Sequence, residues 1–237
     1  MGDFEAWVIN VESRLERRAA MQNRLDEKGI KFKFLTAVEP KNLPSNQKLY
    51  LTDTAEAVWK SHLECLKSAS EATFPTLIME DDAILNIDSH ELQKLADRMI
   101  IEKLDLIQIG FLRINLADSI SIWLRNTYSF FTRNSQAAGV FHFFGFKEVS
   151  RAKAQYWRQG LPNNFVVNDV RYGAHCYLVS PNFASDLLPL NSPAFLAADD
   201  FFVALSRMKT YKMIRLKKSL SDQDGSTSSF TQRFLLK

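Results

Sequence analysis

Cysteine is scarce in this chain. Cys65 and Cys176 are the only two among 237 residues, and they form no CxxC pair. That excludes a disulfide framework and argues against a zinc site built on paired thiolates. Long apolar runs are missing too: nothing approaches the roughly 18 uninterrupted apolar residues of a membrane-span candidate. The opening MGDFEAWVIN is acidic and lacks a long apolar stretch, so no signal peptide is expected and a reducing cytoplasm is the simplest compartment. Glycine is sparse, and neither GxGxxG nor GxxxxGK[ST] occurs, which leaves dinucleotide and P-loop readings without their phosphate cradle. GxSxG, HExxH and EF-hand patterns are absent as well. Nor does one sign of charge dominate. With 30 Lys+Arg against 27 Asp+Glu the net charge is +3, which gives no footing for a nucleic-acid partner, although a pI near 8.8 leaves room for a local basic patch.

What is present is an ordinary globular composition, 46% hydrophobic and 24% charged, long enough for one large domain with a sizeable core. The whole chain, 1–237, is read as one domain that ends in a polar, flexible tail over 221–237. AWVIN (6–10) suits a first buried strand. Ser13-Arg14-Leu15-Glu16 has the form of a capping box before a helix that stops at Gly29. KFKFLTAV (31–38) alternates as a second strand. A helix begins at Asp53 or Thr54, with Asp53-x-x-Glu56 as a second box, and carries Val58, Trp59, His62, Leu63 and Leu66 at helical spacing. TLIME (76–80), a helix near 89–102 and DLIQIG (105–110) follow. This alternation predicts an α/β fold with a mostly parallel sheet flanked by helices. The middle, 111–172, is rich in aromatics from Trp123 to Phe146 and has few periodic signals. GAHCYLVS (173–180) is a strand, followed by a helix with Ser180 as cap and Pro181 at its first position. A helix starts near Asp199 or Asp200, and KMIRL (212–216) is a last strand.

The chemistry-bearing stretch is TLIMEDDAIL (76–85). Glu80, Asp81 and Asp82 follow directly on a run suited to a strand buried on both faces, where neighbouring carboxylates oppose one another's ionisation. A divalent cation, Mn2+ or Mg2+, would resolve that conflict, because hard cations prefer carboxylate oxygens. The plain alternative is a solvated loop in which Asp81 or Asp82 caps a helix. Open α/β sheets bind ligands beyond the carboxyl ends of their strands, and a carboxylate-held metal there suits a diphosphate. Elsewhere the signals are plainer. His62 and His175 have apolar neighbours and read first as core histidines. Asp199-Asp200 reads first as a helix start, and Arg215-Leu216-Lys217-Lys218 as a solvated segment or an anion-binding one.

Several stretches, in order, resemble glycosyltransferase family 25, the family of lipooligosaccharide and procollagen galactosyltransferases. AWVINVESRLERRAAMQNRLDEKGIKFKFLTAV is similar to the family's opening, TLIMEDDAIL to its acidic motif and GAHCYLVSPNFASDLL to its late strand–helix unit. AADDFFVAL and SLSDQDGSTSS resemble its last two stretches. The resemblance implies a GT-A-like, Rossmann-related fold and inverting transfer of a sugar, most often galactose, from a UDP-sugar to a saccharide or glycoconjugate hydroxyl. It implies a lipopolysaccharide-type, potentially lipid-linked acceptor and at most peripheral contact with a membrane. It assigns Glu80 and Asp82 to metal, and Asn10, Arg14, Ser61, His62, Glu80 and Asp81 to the donor. Asp199 or Asp200 becomes the candidate base. LTDTAEAVWKSH (51–62) departs from the pattern: it keeps Leu51-Thr52 and Ser61-His62 but lacks the intervening Gly-Glu pair and Cys, and Glu56 stands one position from the expected acid. Two other classes fit the residues. One is a family-like binding protein without catalysis. The other is a metal-dependent phosphohydrolase or nucleotidyltransferase using the same carboxylates.

Overall fold

The computed structural model describes residues 3–43, 51–111, 165–167, 169–191, 194, 196–208 and 210–224. The aromatic stretch from Trp123 to Phe146 lies outside them. Within the described residues the order is β1 (Glu5–Asn10), α1 (Leu15–Glu27), β2 (Lys33–Thr36), α2 (Asp53–Ser70), β3 (Thr76–Glu80), β4 (Ala83–Leu85), α3 (Ser89–Glu102) and β5 (Leu106–Gly110). Then come β6 (Phe165–Val167), β7 (Cys176–Val179), α4 (Pro181–Leu187), α5 (Ala198–Met208), β8 (Met213–Leu216) and β9 (Ser221–Gln223).

The expected α/β class holds, but the sheet is mixed rather than mostly parallel. Its strands run β2-β1-β3-β7-β5-β8-β6, with β9 joining β4 and β5 at the side. β1 pairs parallel with β2 and β3, and β5 parallel with β8. β7 lies between β3 and β5 and is antiparallel to both. The cause is topological. β3, α3 and β5 obey the local alternation, but β7 arrives after the long middle segment and enters the gap from the opposite direction. One consequence matters for function. The carboxyl ends of β1, β3 and β5 and the amino end of β7 share one edge of the sheet.

Alternation along the central strands feeds two cores. Leu77 and Met79 of β3 and Cys176 and Leu178 of β7 face Met21 and Leu25 of α1 and Leu92 and Met99 of α3. Ile78, Tyr177 and Val179 face the other way, toward Trp59 and Leu66 of α2, Phe183 of α4 and Phe201 and Phe202 of α5. Trp59 packs edge-on against Phe201, with ring centroids 4.8 Å apart. Each large side chain so buried contributes about 1.5–3 kcal/mol, enough to seat helices on both faces of the sheet.

Several local expectations change. Ser13 does not cap α1; Arg14 holds the cap position with no side-chain cap bond. The cap of α2 is Thr52, whose hydroxyl accepts from Ala55 N, not Asp53. Ser180 caps α4 as expected, accepting from Phe183 N. Asp81 and Asp82 cap no helix: they form a turn into β4, and Asp88 caps α3 in a full capping box. The first residues read as a tail form β9, which pairs antiparallel with β4, and Arg24 anchors Asp224 at 2.7 Å. Arg215, read as part of a solvated run, is buried in β8 with Asp169 as its carboxylate partner.

Candidate active site

β1 and β3 run parallel with Ile9 opposite Glu80, so Asn10 arrives beside the acidic turn. Asn10 donates from Nδ2 to Asp81 Oδ2 at 2.8 Å, and Arg17 donates to Asp81 Oδ1 at 2.9 Å. Arg17 also stands 3.7 Å from Asp82 Oδ2. The repulsion evident in the sequence is thus answered, for Asp81, by a guanidinium and an amide. Arg14, the predicted donor contact, stands exposed at the start of α1, and the cation that meets the triplet is Arg17. The sequence carries only part of the signal for Arg17: Arg17, Met21 and Leu25 succeed one another at i, i+4 and i+8, which puts Arg17 on the buried face of α1 without naming its partner.

The other two carboxylates differ sharply. Glu80 closes β3 with its backbone N–H on His175 O at 2.9 Å, and its side chain keeps 30% of its surface open. Burial would raise its pKa, but the hydrogen bond from His62 and the basic side chains His175 and Arg17 outweigh that and hold the carboxyl below the ordinary range. Asp82 is only 5% exposed, and its Oδ1 has no hydrogen-bond partner. Burial, then the charge of Glu80, pushes its pKa up to about 7 against the opposing pull of Arg17. Among the described residues no three His, Cys, Asp or Glu side chains converge as a ready-made metal cage.

His62 and Ser61, assigned to the donor, are both buried in α2. Ser61 Oγ accepts from Val38 N and donates to Ala57 O, so it ties the loop after β2 to the helix. His62 is 0% exposed and places Nε2 3.4 Å from Glu80 Oε1 and Nδ1 3.0 Å from the Tyr177 hydroxyl. It therefore meets a ligand only by way of Glu80.

Asp199 sits in the first turn of α5, but its carboxylate turns away from its own helix and accepts the backbone N–H of Ala174, just before β7. Burial, then the charge of Glu80, raises its pKa, against hydrogen bonds from Ala174 and Gly173 and the pull of His175. Asp200 occupies the same turn. The loop Asp199 grips is also held from the other side. Gln108 of β5 donates from Nε2 to Arg171 O at 2.7 Å and Gly173 O at 3.1 Å, and its Oε1 accepts from Arg171 N at 2.8 Å. Sequence reasoning missed Gln108 and Tyr177, since nothing in a run of apolar strand residues announces partners about sixty or more residues away.

His175, whose backbone O accepts from Glu80 N, lies beside β9 and Gly110. It is buried, with Nε2 3.4 Å from Ser221 O and Nδ1 unpartnered. Its ring leaves no room at Gly110, where an added Cβ would fall 2.4 Å from Nε2 and 2.9 Å from Ser221 Cβ. Gly110→Ala should therefore displace His175 or β9 and cost about 1–3 kcal/mol of stability, the usual range for overpacking. Denaturant unfolding of the variant measures this; a shift below a few tenths of a kcal/mol would show that the ring has room to move.

An α/β sheet that gathers carboxylates and a guanidinium at the carboxyl ends of its central strands, with buried histidines beside them, has the layout of a ligand-binding site. Residues 4–202 match the sequence model of glycosyltransferase family 25 (LPS biosynthesis protein), and the chain belongs to that family. It is accordingly a glycosyltransferase, with a sugar donor and an acceptor as its substrates. A search of curated proteins returned no match. No helix among the described residues is long and apolar enough to cross a membrane.

Proposed function

We propose that this chain is a single GT-A-like domain that transfers a sugar, galactose foremost, from a UDP-sugar to a hydroxyl of a saccharide or lipid-linked glycoconjugate with inversion, assisted by Mn2+ or Mg2+ on the cytoplasmic side. The observation that carries this reading is the division of labour in the acidic turn. Asp81 is consumed by Asn10 and Arg17, which leaves Glu80, open to solvent, and Asp82, with an unpartnered buried oxygen. Two carboxylates fit a magnesium-like ion at a nucleotide site, where phosphates and water complete the coordination shell. Glu80 and Asp82 would hold the ion; when bound, it offsets charge on the departing diphosphate. The chain's own residues supply the rest. Arg17 and Asn10 hold the turn in place, His62 orients Glu80, and Asp199 accepts the acceptor's proton in its raised-pKa carboxylate.

The test is a panel of UDP-sugars incubated with manganese or with chelator, scored by released UDP. Hydrolysis of one sugar, UDP-galactose first, that depends on the metal is expected. No hydrolysis of any UDP-sugar together with no calorimetric binding of UDP would remove the donor assignment. A second reading, a family member that binds donor without turning it over, draws on Glu56: the residue nearest the missing family acid is 8% exposed and tied to Lys60 at 2.9 Å, inside α2. UDP binding without turnover on any acceptor would favour it.

A further inference from the structure

Tyr177 and His62 form a buried pair that ends on Glu80, and the direction of their hydrogen bonds can be deduced. Tyr177 is 1% exposed, and among the described residues its hydroxyl meets His62 Nδ1 at 3.0 Å. The two rings stack, with centroids 5.8 Å apart and planes 22° from parallel. Burial raises the phenol's pKa well above its ordinary value, so the hydroxyl keeps its proton. A buried phenol with one partner donates to it, since an undonated O–H would be a costly loss. His62 Nδ1 is then the acceptor, the imidazole proton sits on Nε2, and Nε2 donates to Glu80 Oε1 at 3.4 Å.

We propose that Tyr177, acting through His62, is a positioning residue for Glu80: the phenol fixes the imidazole tautomer and the imidazole fixes the carboxylate's orientation at the mouth of the site. The arrangement is that of an outer-shell partner that orients a ligand-holding side chain. It also explains why a tyrosine occupies a strand position facing a core of Trp59, Phe201 and Phe202. Phenylalanine would fill the same volume. Only the hydroxyl can hydrogen-bond to His62. The role in donor binding rests on the proposed function; the tautomer does not.

The test has two arms on the full chain. Nitrogen-15 NMR of the imidazoles, assigned with a His62→Gln control, should show His62 with a bare Nδ1 and a protonated Nε2. In Tyr177→Phe that population should become mixed. A protonated Nδ1 in the wild type overturns the proposal whatever the enzyme binds. In the second arm, calorimetry with UDP and manganese should show Tyr177→Phe weakened about tenfold, the low end for outer-shell losses, with a melting temperature near wild type. His62→Gln, which retains a donor toward Glu80, should bind better than His62→Leu. Unchanged affinity in Tyr177→Phe, or equal losses in the Gln and Leu variants, overturns the positioning role. A wild type that binds no UDP overturns the donor reading alone, and the tautomer then decides the pair.

Discussion

Asp82→Asn should yield a protein that gains stability over the wild type in the absence of metal as the pH rises through neutrality, the gap levelling off above about pH 8, and that nevertheless binds UDP poorly. The expectation follows from the burial of this carboxyl beside Glu80. Asp82 titrates at about 7 in the folded protein, against an ordinary value of 3.8. A carboxyl with a raised folded pKa favours the native state while protonated. That stability is fully present below the unfolded pKa and is lost as the pH rises through the folded one. Between about pH 5 and about pH 8 the loss amounts to on the order of 2–3 kcal/mol. Asparagine has the same shape and never ionises, so it escapes the loss. Urea unfolding of both proteins in chelator should show their gap widening by that amount with pH. With manganese and UDP the order reverses: the variant lacks one of the two carboxylates proposed for the ion, and its UDP affinity should fall tenfold or more, about 1.4 kcal/mol. A folded Asp82→Asn protein with unchanged, metal-dependent UDP affinity would sink the assignment of Asp82. A stability gap that is flat with pH would show that the carboxyl is not held protonated.

The same residue shows what could be read from the sequence and what could not. An apolar run closed by three carboxylates announces a strand end with unusual charge, and Thr76–Glu80 is that strand. The helix expected near 89–102 is α3, Ser89–Glu102, opened by the Asp88–Glu91 capping box and packed through Leu92, Ala96 and Met99. What answers the charge was not legible. Arg17 lies 64 positions from Asp81, and periodicity shows only that it shares a face with Met21 and Leu25. Pattern is local, and the compensation is not. For the same reason the sheet was misread. The apolar content of GAHCYLVS identifies a buried strand, but a strand buried between two others looks alike whether it runs with them or against them. β9 illustrates the converse. SDQ has no strand composition, yet its backbone pairs with β4 and β5 beside His175, and Asp224 N–H reaches Asp82 O at 2.8 Å. The site histidines were visible as buried residues; the partners of His62, Tyr177 and Glu80, became visible only when β3, β7 and α2 came together, and that of His175, Ser221 O, only with β9.

Replacing the proposed base should produce the largest kinetic loss. The proposed inverting mechanism needs a carboxylate across the sugar from the leaving diphosphate, so the base is not one of the two groups proposed to hold the metal. Asp199 and Asp200 both begin α5, but the structure distinguishes them. Asp199 is brought to the sheet edge by its bond to Ala174 N, and Glu80 lies near enough for its charge to raise the Asp199 pKa. Raised basicity is what a general base at neutral pH needs, and a positioned carboxylate of that kind contributes roughly 10²–10⁴-fold. Asp199→Asn is a discriminating substitution, because the amide oxygen still accepts from Ala174 N and so keeps the 171–174 loop in place. Only the proton-accepting capacity is lost. Turnover should fall roughly 10²-fold or more, while UDP binding with manganese and the melting temperature stay close to wild type. Asp200→Asn should retain most of its activity. Should Asp199→Asn lose UDP binding and thermal stability in step with turnover, Asp199 is a strut for the loop and Asp200 becomes the base. Near-normal transfer by both variants would place the base elsewhere and remove α5 from the chemistry.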